Sequence, residues 1–494
     1  MTKSIIVVGA GFAGLATAAL LSKKGYEVTV LEKNASIGGR ARIWEHQGFS
    51  FDMGPSWYLM PEVFDRYFAH FGHRTSEYYQ LSELDPYYRV FFNPSEFVEI
   101  TPDYQDTKRV FDSLESGGGT MLDDYLKKAH YKYDVAMDQF LYREYTSIFQ
   151  FFNLRMLREG LRLNVLEHMD RFVSRSFSDR RTKQLLEYAM VFLGTSPQDA
   201  PALYSIMSHV DMNLGVYYPM GGLGAVARAF ARLAEEEGTR IRTNAEVTRI
   251  RYRNGKISGV EIGDEVLSAD RVIFAGDYPY AETELLGKDG RSLGSGYWKR
   301  RILSPSMFLM YIGLERELSN FRHHTLYFEE DWNRHFHSIF KEPEWPLDPC
   351  FYVSVISKTD PNTAPKGGEN VFVLVPVAPG LDDSDDQREE YADHVLDHIT
   401  RITGEDLRVQ QKVRRIFSGR DFMADYHAYQ GTALSLAHTL FQTAIFRPSH
   451  RSRKLKGLYY TGHYTHPGVG VPMTVIASEI VADEVHKSFG ENKF

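Results

Sequence analysis

The stretch SIIVVGAGFAGLATAALLSKKGYEVTVLEKN, residues 4–34, decides the fold of the amino-terminal part of the chain. Residues 4–8 are apolar and largely β-branched, which predicts a buried strand, and residues 12–24 are rich in helix formers. Gly25 ends that helix, and residues 27–31 predict a second strand. A strand, a helix and a strand in this order favour a parallel sheet with a right-handed crossover.

The turn between the first strand and the helix has the glycine spacing of a dinucleotide site. Gly9 allows the tight turn, Gly11 lets the backbone approach a pyrophosphate, and Gly14 lets the helix pack closely on the sheet. Glu32 ends the second strand, where a carboxylate can accept hydrogen bonds from a ribose. The alternative is a structural glycine turn in another α/β protein, but the order of strand, helix and acid favours the nucleotide site.

A second glycine element follows at Gly38, Gly39 and Arg40. FAD reaches further than NAD and needs such a close approach, and the Arg40 guanidinium could pair with a phosphate. The alternative for these glycines is an ordinary turn. Gly222 and Gly224 also open a helix, but their register fails and no acid follows, so a separate NAD(P)H domain is not expected. The reduced flavin is then expected to pass its electrons to oxygen, a quinone or another bound acceptor.

The carboxyl-terminal part, residues 457–486, predicts a strand, a glycine-rich turn and a helix. Gly462, Gly468 and Gly470 permit close backbone approach, and Pro472 suits the first turn of a helix. The positive end of that helix would stabilise negative charge at the N1–C2=O edge of a reduced flavin. A glycine loop in front of a packing helix is the alternative.

The rest of the chain predicts a discontinuous two-domain arrangement. The FAD-binding domain is predicted from residues 1–75, 205–285 and 450–494, and a substrate-binding and membrane-contact domain from residues 76–204 and 286–449. The fold class is therefore α/β, a Rossmann-like FAD-binding domain of the glutathione-reductase type with an inserted α+β substrate domain and a helical membrane-facing part. Further predicted elements are helices within 121–177 and over 225–237, strands within 244–277 with a hairpin at 254–255, buried strands near 306–314 and 371–377, and a solvated loop over 381–390.

Composition excludes several classes of protein. The formal net charge of −8 argues against a nucleic-acid partner. Cys350 is the single cysteine, so neither an internal disulfide nor a cysteine metal cluster can form, and no metal-ligand spacing stands out elsewhere. No apolar run approaches the roughly 18 residues that span a bilayer. We therefore expect a cytoplasmic protein that can rest on a membrane surface.

The chain resembles the bacterial-type phytoene (carotenoid) desaturases, within the FAD-containing amine oxidase superfamily, and the resemblance runs nearly end to end. The amino-terminal motifs are shared by the whole superfamily, whereas the later ones are more specific to the desaturases. The motifs are VVGAGFAGLATA (7–18), LEKNASIGGRA (31–41), FDMGPSWYLMP (51–61), LGVYYPMGGLGAV (214–226), NAEVTRI (244–250), ADRVIFAGD (269–277), HAYQGTA (427–433), FRPSHR (446–451) and THPGVGVP (465–472).

The resemblance implies an enzyme that takes hydrogen from a long apolar isoprenoid, with FAD as its redox cofactor, at a membrane surface. Most simply, it would convert phytoene towards lycopene. The sequence departs from the family pattern at His427, His463 and Tyr464, which leaves the carotenoid and the step open. The cofactor-binding residues expected from the matched motifs are Gly9, Gly11, Gly14, Glu32, Lys33, Gly39, Arg40, Gly54, Pro55, Val247, Gly462, Val471 and Pro472.

The expected chemistry is hydride transfer from an allylic carbon to flavin N5, followed by loss of a proton from the neighbouring carbon. His463 and His466 are the candidate weak bases nearest in sequence, although each imidazole could equally be a hydrogen-bonded loop residue. Two basic and apolar segments, residues 149–163 and 447–456, are candidates for membrane contact.

Several alternatives stay open. On the same fold, the chain could be a hydroxycarotenoid 3,4-desaturase or a carotenoid isomerase. A polar amine oxidase or porphyrinogen oxidase would need polar groups around the flavin face, where this sequence offers mostly apolar ones. A flavin-free prenyl-binding escort protein, similar to GDP-dissociation inhibitors, belongs to a different functional class.

Overall fold

The computed structural model describes residues 2–143 and 162–490. The strands in these ranges are numbered in chain order. They are β1 (Ser4–Val8), β2 (Glu27–Leu31), β3 (Ile43–His46), β4 (Phe49–Asp52), β5 (Leu81–Glu83), β6 (Tyr88–Asn93), β7 (Glu96–Ile100), β8 (Tyr217–Pro219), β9 (Arg240–Arg242), β10 (Arg249–Arg253), β11 (Lys256–Ile262), β12 (Glu265–Ser268), β13 (Arg271–Phe274), β14 (Ser306–Leu314), β15 (His324–Tyr327), β16 (Phe351–Ser354), β17 (Glu369–Val377), β18 (Gln411–Phe417) and β19 (Leu458–Tyr460).

The α-helices of the described ranges are numbered in the same way. They are α1 (Phe12–Lys23), α2 (Pro61–Ala69), α3 (Tyr104–Leu114), α4 (Gly118–Val135), α5 (Met169–Val173), α6 (Arg180–Glu187), α7 (Ile206–Met212), α8 (Gly222–Glu236), α9 (Tyr278–Tyr280), α10 (Ser295–Trp298), α11 (Trp332–Phe340), α12 (Asp385–Thr403), α13 (Gly419–Tyr426) and α14 (Val471–Gly490). Within the same ranges, none of the helices is both long enough and apolar enough to cross a bilayer.

A parallel sheet with the strand order β19-β13-β1-β2-β9 forms the nucleotide-binding half of the fold. The register places Val8 beside Leu31 on one side and Phe274 on the other, and Phe274 beside Tyr460. The carboxyl ends of four strands therefore meet at one edge. Ligands of open α/β sheets bind outside this edge. On the face of the sheet, α1 is buried along its length and contacts both α8 and α14.

A second sheet, with the order β18-β14-β17-β16-β15-β6-β7, forms the other half. Its neighbouring strands are antiparallel, except that β15 pairs with β6 in parallel. Every residue of β14 is buried. Since successive side chains of a strand point to opposite sides, both faces of the strand are therefore covered. Phe308 and Met310 pack in the cluster that includes α12, whereas Met307 and Leu309 belong to the cluster on the other face. This second face turns towards the nucleotide-binding half.

Several predicted elements are confirmed. β1, β2 and β14 have the predicted bounds, and β10 and β11 form a hairpin across Asn254 and Gly255, both with positive φ. The helix predicted over 225–237 starts earlier, at Gly222. Part of the predicted helical region 121–177 is present as α4 and α5, and residues 144–161 lie outside the described residues.

The prediction of a solvated loop over 381–390 is wrong, because α12 begins at Asp385. The Ser384 hydroxyl accepts a hydrogen bond from the Gln387 N–H, which caps the helix. Asp385 and Asp386 occupy the first turn, where negative charge stabilises the helix dipole. The acidic run therefore marks a helix start.

Candidate active site

One cavity of about 1210 Å³ runs from the carboxyl edge of the parallel sheet to the inner face of the second sheet. Glu32, from the amino-terminal motif, and Pro472, from the carboxyl-terminal helix, both line it. The two ends of the sequence therefore converge on one site. A cavity of this size and shape can take a ligand larger than a mononucleotide.

The glycines of the first motif shape the end of the cavity nearest the parallel sheet. Gly9 has a φ of +105°, which favours glycine, and both Gly9 and Gly11 line the cavity. A Cβ on Gly39 would lie 3.3 Å from the Gly11 Cα, so the two glycine elements approach each other closely. Gly39 also lines the cavity. The backbone thus leaves room where a pyrophosphate is expected.

Gly14 does not line the cavity, although it was predicted to bind the cofactor. A Cβ at this position would lie 2.0 Å from the Gly9 carbonyl oxygen and 3.2 Å from the Ala275 Cβ. Its role in the structure is to let α1 pack directly on the turn. This agrees with the packing role that its place in the glycine motif predicts, and its role in cofactor binding stays a prediction.

Glu32 lies at the end of β2 with its side chain buried. Its Oε2 accepts a hydrogen bond from the Ala10 N–H at 2.9 Å, and Oε1 accepts from the Asn34 N–H at 2.9 Å. Oε1 also accepts a hydrogen bond from the Asn34 Nδ2 at 2.9 Å, so Oε2 is the oxygen that keeps a further lone pair for a ribose hydroxyl. The backbone around the glycine turn therefore orients the carboxylate that was predicted to bind the ribose.

Arg40 provides the test of whether an anionic cofactor fits. Its Nε and Nη2 atoms are buried, yet within residues 2–143 and 162–490 neither has a hydrogen-bond partner. The guanidinium lies 5.1 Å from the centre of the Tyr426 ring and lines the cavity. Buried polar groups in proteins are normally satisfied, so this arginine fits a phosphate group of FAD.

Lys33 and Val247 line the far end of the cavity, where the adenine half of the cofactor is expected. The Lys33 Nζ donates a hydrogen bond to the Ala424 carbonyl at 2.6 Å, so its charge is directed at protein. Beside it, the His427 Nε2 lies 2.8 Å from the Glu246 Oε1, and the His427 ring stacks on Tyr280. Lys33 therefore offers the cavity mainly its aliphatic stem.

Residues from both ends of the chain line the predicted flavin end. Gly54, Pro55, Gly462, Val471 and Pro472 all line the cavity. Gly462 has a φ of +116°, and a Cβ on Gly54 would lie 2.5 Å from the Arg40 carbonyl oxygen. α14 begins at Val471, so its amino terminus faces this part of the cavity.

His463 and His466 also line the cavity. Burial, together with the positive charges of Arg40 and Arg447, holds the pKa of His463 well below its usual range. Burial likewise lowers the pKa of His466 to about 3, and its Nε2 lies 3.2 Å from the Phe140 carbonyl oxygen. Both imidazoles are therefore neutral and weakly basic, and their catalytic role remains a prediction.

The second sheet supplies the apolar wall of the cavity. Met307 and Leu309 from β14, Tyr352 from β16 and Leu374 from β17 lie on the inner face of the sheet and line it. Trp57, next to the predicted flavin contacts, stacks on His324 with ring centres 4.4 Å apart. A long hydrocarbon could gain binding energy from such a wall by burial of apolar surface.

Sequence reasoning missed Asp277, which follows β13 at the carboxyl edge of the parallel sheet. Its carboxyl group accepts hydrogen bonds from the Tyr464 hydroxyl at 2.9 Å and the Tyr429 N–H at 3.2 Å. Burial raises its pKa to about 6. The signal was present in the motif ADRVIFAGD, since an acid that directly follows a parallel strand lies at the ligand edge.

A second group that the sequence did not reveal is Asp211, on α7. Its Oδ2 accepts hydrogen bonds from the Tyr188 hydroxyl at 2.6 Å and the Tyr88 hydroxyl at 3.1 Å. Tyr188 and Asp211 both line the cavity on the substrate side. The three side chains come from separate elements, so no local pattern marks them as a cluster.

The comparisons with known proteins agree with this geometry. The flavin containing amine oxidoreductase family matches residues 12–486. A carotenoid 3,4-desaturase from Haloarcula japonica is 44% identical over 482 residues, 97% of each chain. A 4,4'-diapophytoene desaturase (4,4'-diaponeurosporene-forming) from Staphylococcus aureus is 32% identical over 500 residues, 98% of each chain.

The fold has relatives among solved structures at low sequence identity. An oxidoreductase from Methanosarcina mazei has a TM-score of 0.65 at 17% identity, covering 97% of this chain and 100% of that one. This likeness concerns the fold, whereas the family assignment depends on the sequence matches. The chain therefore belongs to the flavin-containing amine oxidoreductase family and, within it, to the carotenoid desaturases, and it is an FAD-dependent oxidoreductase.

Proposed function

We propose that this enzyme desaturates a linear carotenoid or carotenoid precursor bound along the apolar wall of the cavity. The observation that carries the proposal is the continuity of the site. The same cavity that contains Glu32 and Arg40 continues past Gly54 to Met307 and Leu309 on the second sheet. A polar amine would have little to bind on that wall, whereas a polyene can bind through its whole length.

The two halves of the fold would have different roles in this reaction, one binding the cofactor and the other the substrate. FAD, when bound, supplies the oxidising power by accepting a hydride. Arg40 and Glu32 would hold its phosphate and ribose groups. The second sheet would orient the hydrocarbon and exclude water, so that the reacting carbon is held close to the flavin ring. The division into an FAD-binding domain and an inserted substrate domain, at the predicted boundaries, belongs to this proposal.

Two substrates are candidates. Conversion of phytoene towards lycopene is the expectation from the sequence motifs. Desaturation at the 3,4-position of a more advanced carotenoid is favoured by the 44% identity to the Haloarcula japonica enzyme, which exceeds the 32% identity to the diapophytoene desaturase. Both reactions remove two hydrogens from a linear polyene, so the cavity chemistry is shared.

A direct assay separates these candidates. The FAD-loaded protein is incubated without oxygen, in liposomes that contain a quinone and either phytoene or a hydroxylated carotenoid, and the pigments are then analysed. We expect a longer conjugated chromophore in one of the two incubations. Product from the hydroxylated carotenoid alone would reject phytoene as the substrate. A colourless protein that binds no FAD, with both pigments unchanged, would contradict the proposal as a whole.

We further propose that the enzyme takes its substrate from a membrane through one opening of the cavity. Leu166 lines the cavity and is 78% exposed, so this wall reaches the surface. Phe441, which is 70% exposed, lies with its ring centre 5.7 Å from that of Phe446. Gln442, next to it, donates a hydrogen bond to the carbonyl of the half-exposed Ile302 at 2.8 Å. Leu166, Ile302, Phe441 and Phe446 are called the mouth patch below.

Hydrogen bonds connect the two sides of this opening. The Ala202 N–H donates to the Glu167 carbonyl at 2.7 Å, and the Tyr204 hydroxyl lies 2.8 Å from the Thr443 Oγ1. Arg171, Arg175, Lys299 and Arg300 are exposed in the same segments and would favour an anionic lipid surface. Apolar residues ringed by basic ones are typical of surfaces that lie in a membrane interface.

The segments predicted for membrane contact from the sequence differ from the mouth patch. Most of residues 149–163 lie outside the described residues. In the other segment, Arg447 is buried and donates hydrogen bonds to the carbonyls of His463 and Leu436. Its burial lowers its pKa to about 10. Arg447 therefore stabilises the loop around His463, at the predicted flavin end of the cavity, and does not face lipid.

Replacing an exposed aromatic residue by a charge tests the mouth patch. We expect Phe441→Glu to reduce co-sedimentation with anionic liposomes several-fold, because a carboxylate resists transfer into the interface. Phe97→Glu, at a partly exposed phenylalanine on β7, is the matched control and should leave sedimentation unchanged. Equal loss in both variants, or in neither, would contradict the assignment of this surface.

A further inference from the structure

Desaturation removes a hydride and a proton, and the proton needs an acceptor that the FAD-binding residues do not provide. His463 and His466 are poor acceptors, since burial and neighbouring guanidinium groups disfavour a positive charge on them. The cavity wall also carries buried carboxyl groups, among them Asp211 and Asp277. Asp211 stands out because it lies on the substrate side.

Three elements hold the Asp211 carboxyl group in place. α7 carries the residue itself, β6 carries Tyr88, and a 3-10 helix at Tyr188–Val191 carries Tyr188. Both tyrosine hydroxyls donate to Oδ2, so that oxygen is occupied. Oδ1 is also buried, and in the described part of the chain it has no hydrogen-bond partner. One oxygen is thus anchored by two hydroxyls, and no side chain of the described residues donates to the other.

Apart from these hydroxyls and the N–H groups of Asp211 and Met212, apolar side chains of the described residues surround this carboxyl group. Val210 and Met207 of α7, together with Ala189 and Phe192, line the same part of the cavity. A buried polar atom without a partner is uncommon in folded proteins and calls for an explanation, such as a functional role. A group that accepts a proton from a bound hydrocarbon would explain both the burial and the missing partner.

We propose that Asp211 is the proton acceptor of the desaturation, which rests on the function proposed above. As the substrate loses its hydride to FAD, the adjacent C–H bond breaks. Its electron pair becomes the π bond of the new double bond, and its proton forms an O–H bond with Oδ1 of the Asp211 carboxylate. The carboxylic acid then releases the proton to solvent before the next turnover. Until the proton moves, the negative charge of the carboxylate also stabilises the positive charge on the polyene.

Among residues 2–143 and 162–490, the titratable groups that face this carboxyl group are tyrosines. Tyr88 and Tyr188 donate to it, and Tyr87 and Tyr125 are close enough for its charge to act on them. All four have their pKa values raised by burial, so they stay protonated across the neutral range. Burial raises the pKa of Asp211 itself to about 7, and the tyrosine hydroxyls and the N–H groups of Asp211 and Met212 act against this shift. Asp211 is therefore the member of this described cluster that titrates near neutral pH.

The first test uses Asp211→Asn, which keeps the shape of the side chain but removes its basicity. We expect kcat to fall about 100-fold or more, with the apparent KM changed less than about threefold. Glu187→Gln is the matched control, since Glu187 is a buried carboxyl that does not line the cavity, and it should keep the wild-type kcat. Wild-type activity in Asp211→Asn would overturn the assignment while leaving the proposed function intact.

The second test does not depend on turnover. The infrared spectrum of Asp211→Asn is subtracted from that of the wild type, both loaded with FAD and without substrate, so that the bands of Asp52, Asp277 and Glu187 cancel. The difference should show a protonated carboxyl band that disappears as the pH rises through about 7. Tyr88→Phe removes one donor to the carboxylate, so it should move the infrared titration and the acidic limb of kcat/KM to higher pH together. A shift in only one of the two would count against the assignment.

Two further outcomes distinguish this inference from its rivals. If Asp211→Asn raised only the KM for a hydroxylated carotenoid and left kcat intact, Asp211 would bind a substrate hydroxyl instead of accepting a proton. If the wild-type enzyme desaturated none of the carotenoids offered, the proposed function would fail, and the infrared titration would then report only on a buried carboxyl group.

Discussion

Glu187, at the end of α6, is a buried carboxyl group whose ionisation the folded protein disfavours. It is 2% exposed, and its Oε1 has no hydrogen-bond partner among residues 2–143 and 162–490. Burial, with the nearby charge of Asp170 adding to it, raises the pKa of Glu187 to about 8. Asp52 is similar, with a pKa raised to about 7 by burial despite the N–H groups of α8 that point towards it. These residues are neutral in the folded protein at mildly acidic pH.

The pH dependence of stability follows from this at the residue scale. A carboxyl group whose folded pKa is raised contributes stability below its unfolded pKa, and this contribution is lost as the pH rises through the folded value. Between about pH 4.5 and 8, Glu187 should therefore lower the free energy of unfolding by about 1.4 kcal/mol per pH unit. We expect Glu187→Gln to flatten the fall of the unfolding temperature over this range, as measured by calorimetry. An unchanged slope would show that Glu187 is ionised in the folded state.

At the scale of elements, α1 is positioned by a contact that only glycine permits. α1 is buried along most of its length between the parallel sheet, α8 and α14. Because Gly14 has no side chain, the first turn of α1 packs directly against the Gly9 carbonyl. This contact sets the distance between the amino terminus of α1 and the glycine turn. The free N–H groups of that terminus can bind phosphate only if the turn stays in place.

Gly14→Ala tests this element. In an ordinary helix, this substitution is expected to stabilise by up to about 1 kcal/mol. Here the new methyl group would lie 2.0 Å from a backbone oxygen, so we expect destabilisation of about 1–3 kcal/mol and weaker FAD binding. Urea unfolding and flavin fluorescence titration measure the two effects. Gly296→Ala, in α10 with open space around it, serves as the control and should change neither quantity appreciably.

At the scale of the whole molecule, both ends of the described chain meet at the cofactor site. Gly9 and Gly11 contribute from one end, and Gly462 with Pro472 from the other, while the second sheet closes the cavity. Because the site exists only when these parts are folded together, FAD should stabilise the molecule as a unit.

The effect of FAD on thermal unfolding checks this expectation. FAD at 100 times its Kd should add about 2.7 kcal/mol to the free energy of unfolding, seen as a higher unfolding temperature in a single transition. At the same FAD concentration as the wild type, Arg40→Gln should show a smaller shift, because it removes the buried cation that fits a phosphate. Arg42→Gln is the control, since Arg42 pairs with Asp425 and lies outside the cavity wall. A shift that Arg40→Gln leaves intact would show that the phosphates lie elsewhere.

Local pattern was sufficient for much of this molecule. The glycine spacing, the acid after β2 and the proline at the start of α14 each predicted an element of the fold, because each pattern depends on a few neighbouring residues. Such patterns gave Glu32, Arg40, Gly54 and Pro472, which now line one cavity. The same reasoning failed at 381–390, where acidic residues start α12 instead of forming a loop.

The sequence by itself determined the nucleotide-binding half, the kind of cofactor and the family, since these depend on short motifs whose spacing is set along the chain. Only the tertiary structure decided which groups surround the substrate. Tyr88, Tyr188 and Asp211 are far apart in sequence and meet because β6 and α7 pack beside the same cavity. Their protonation states follow from burial, and burial is a property of the packed molecule that no local pattern of residues contains.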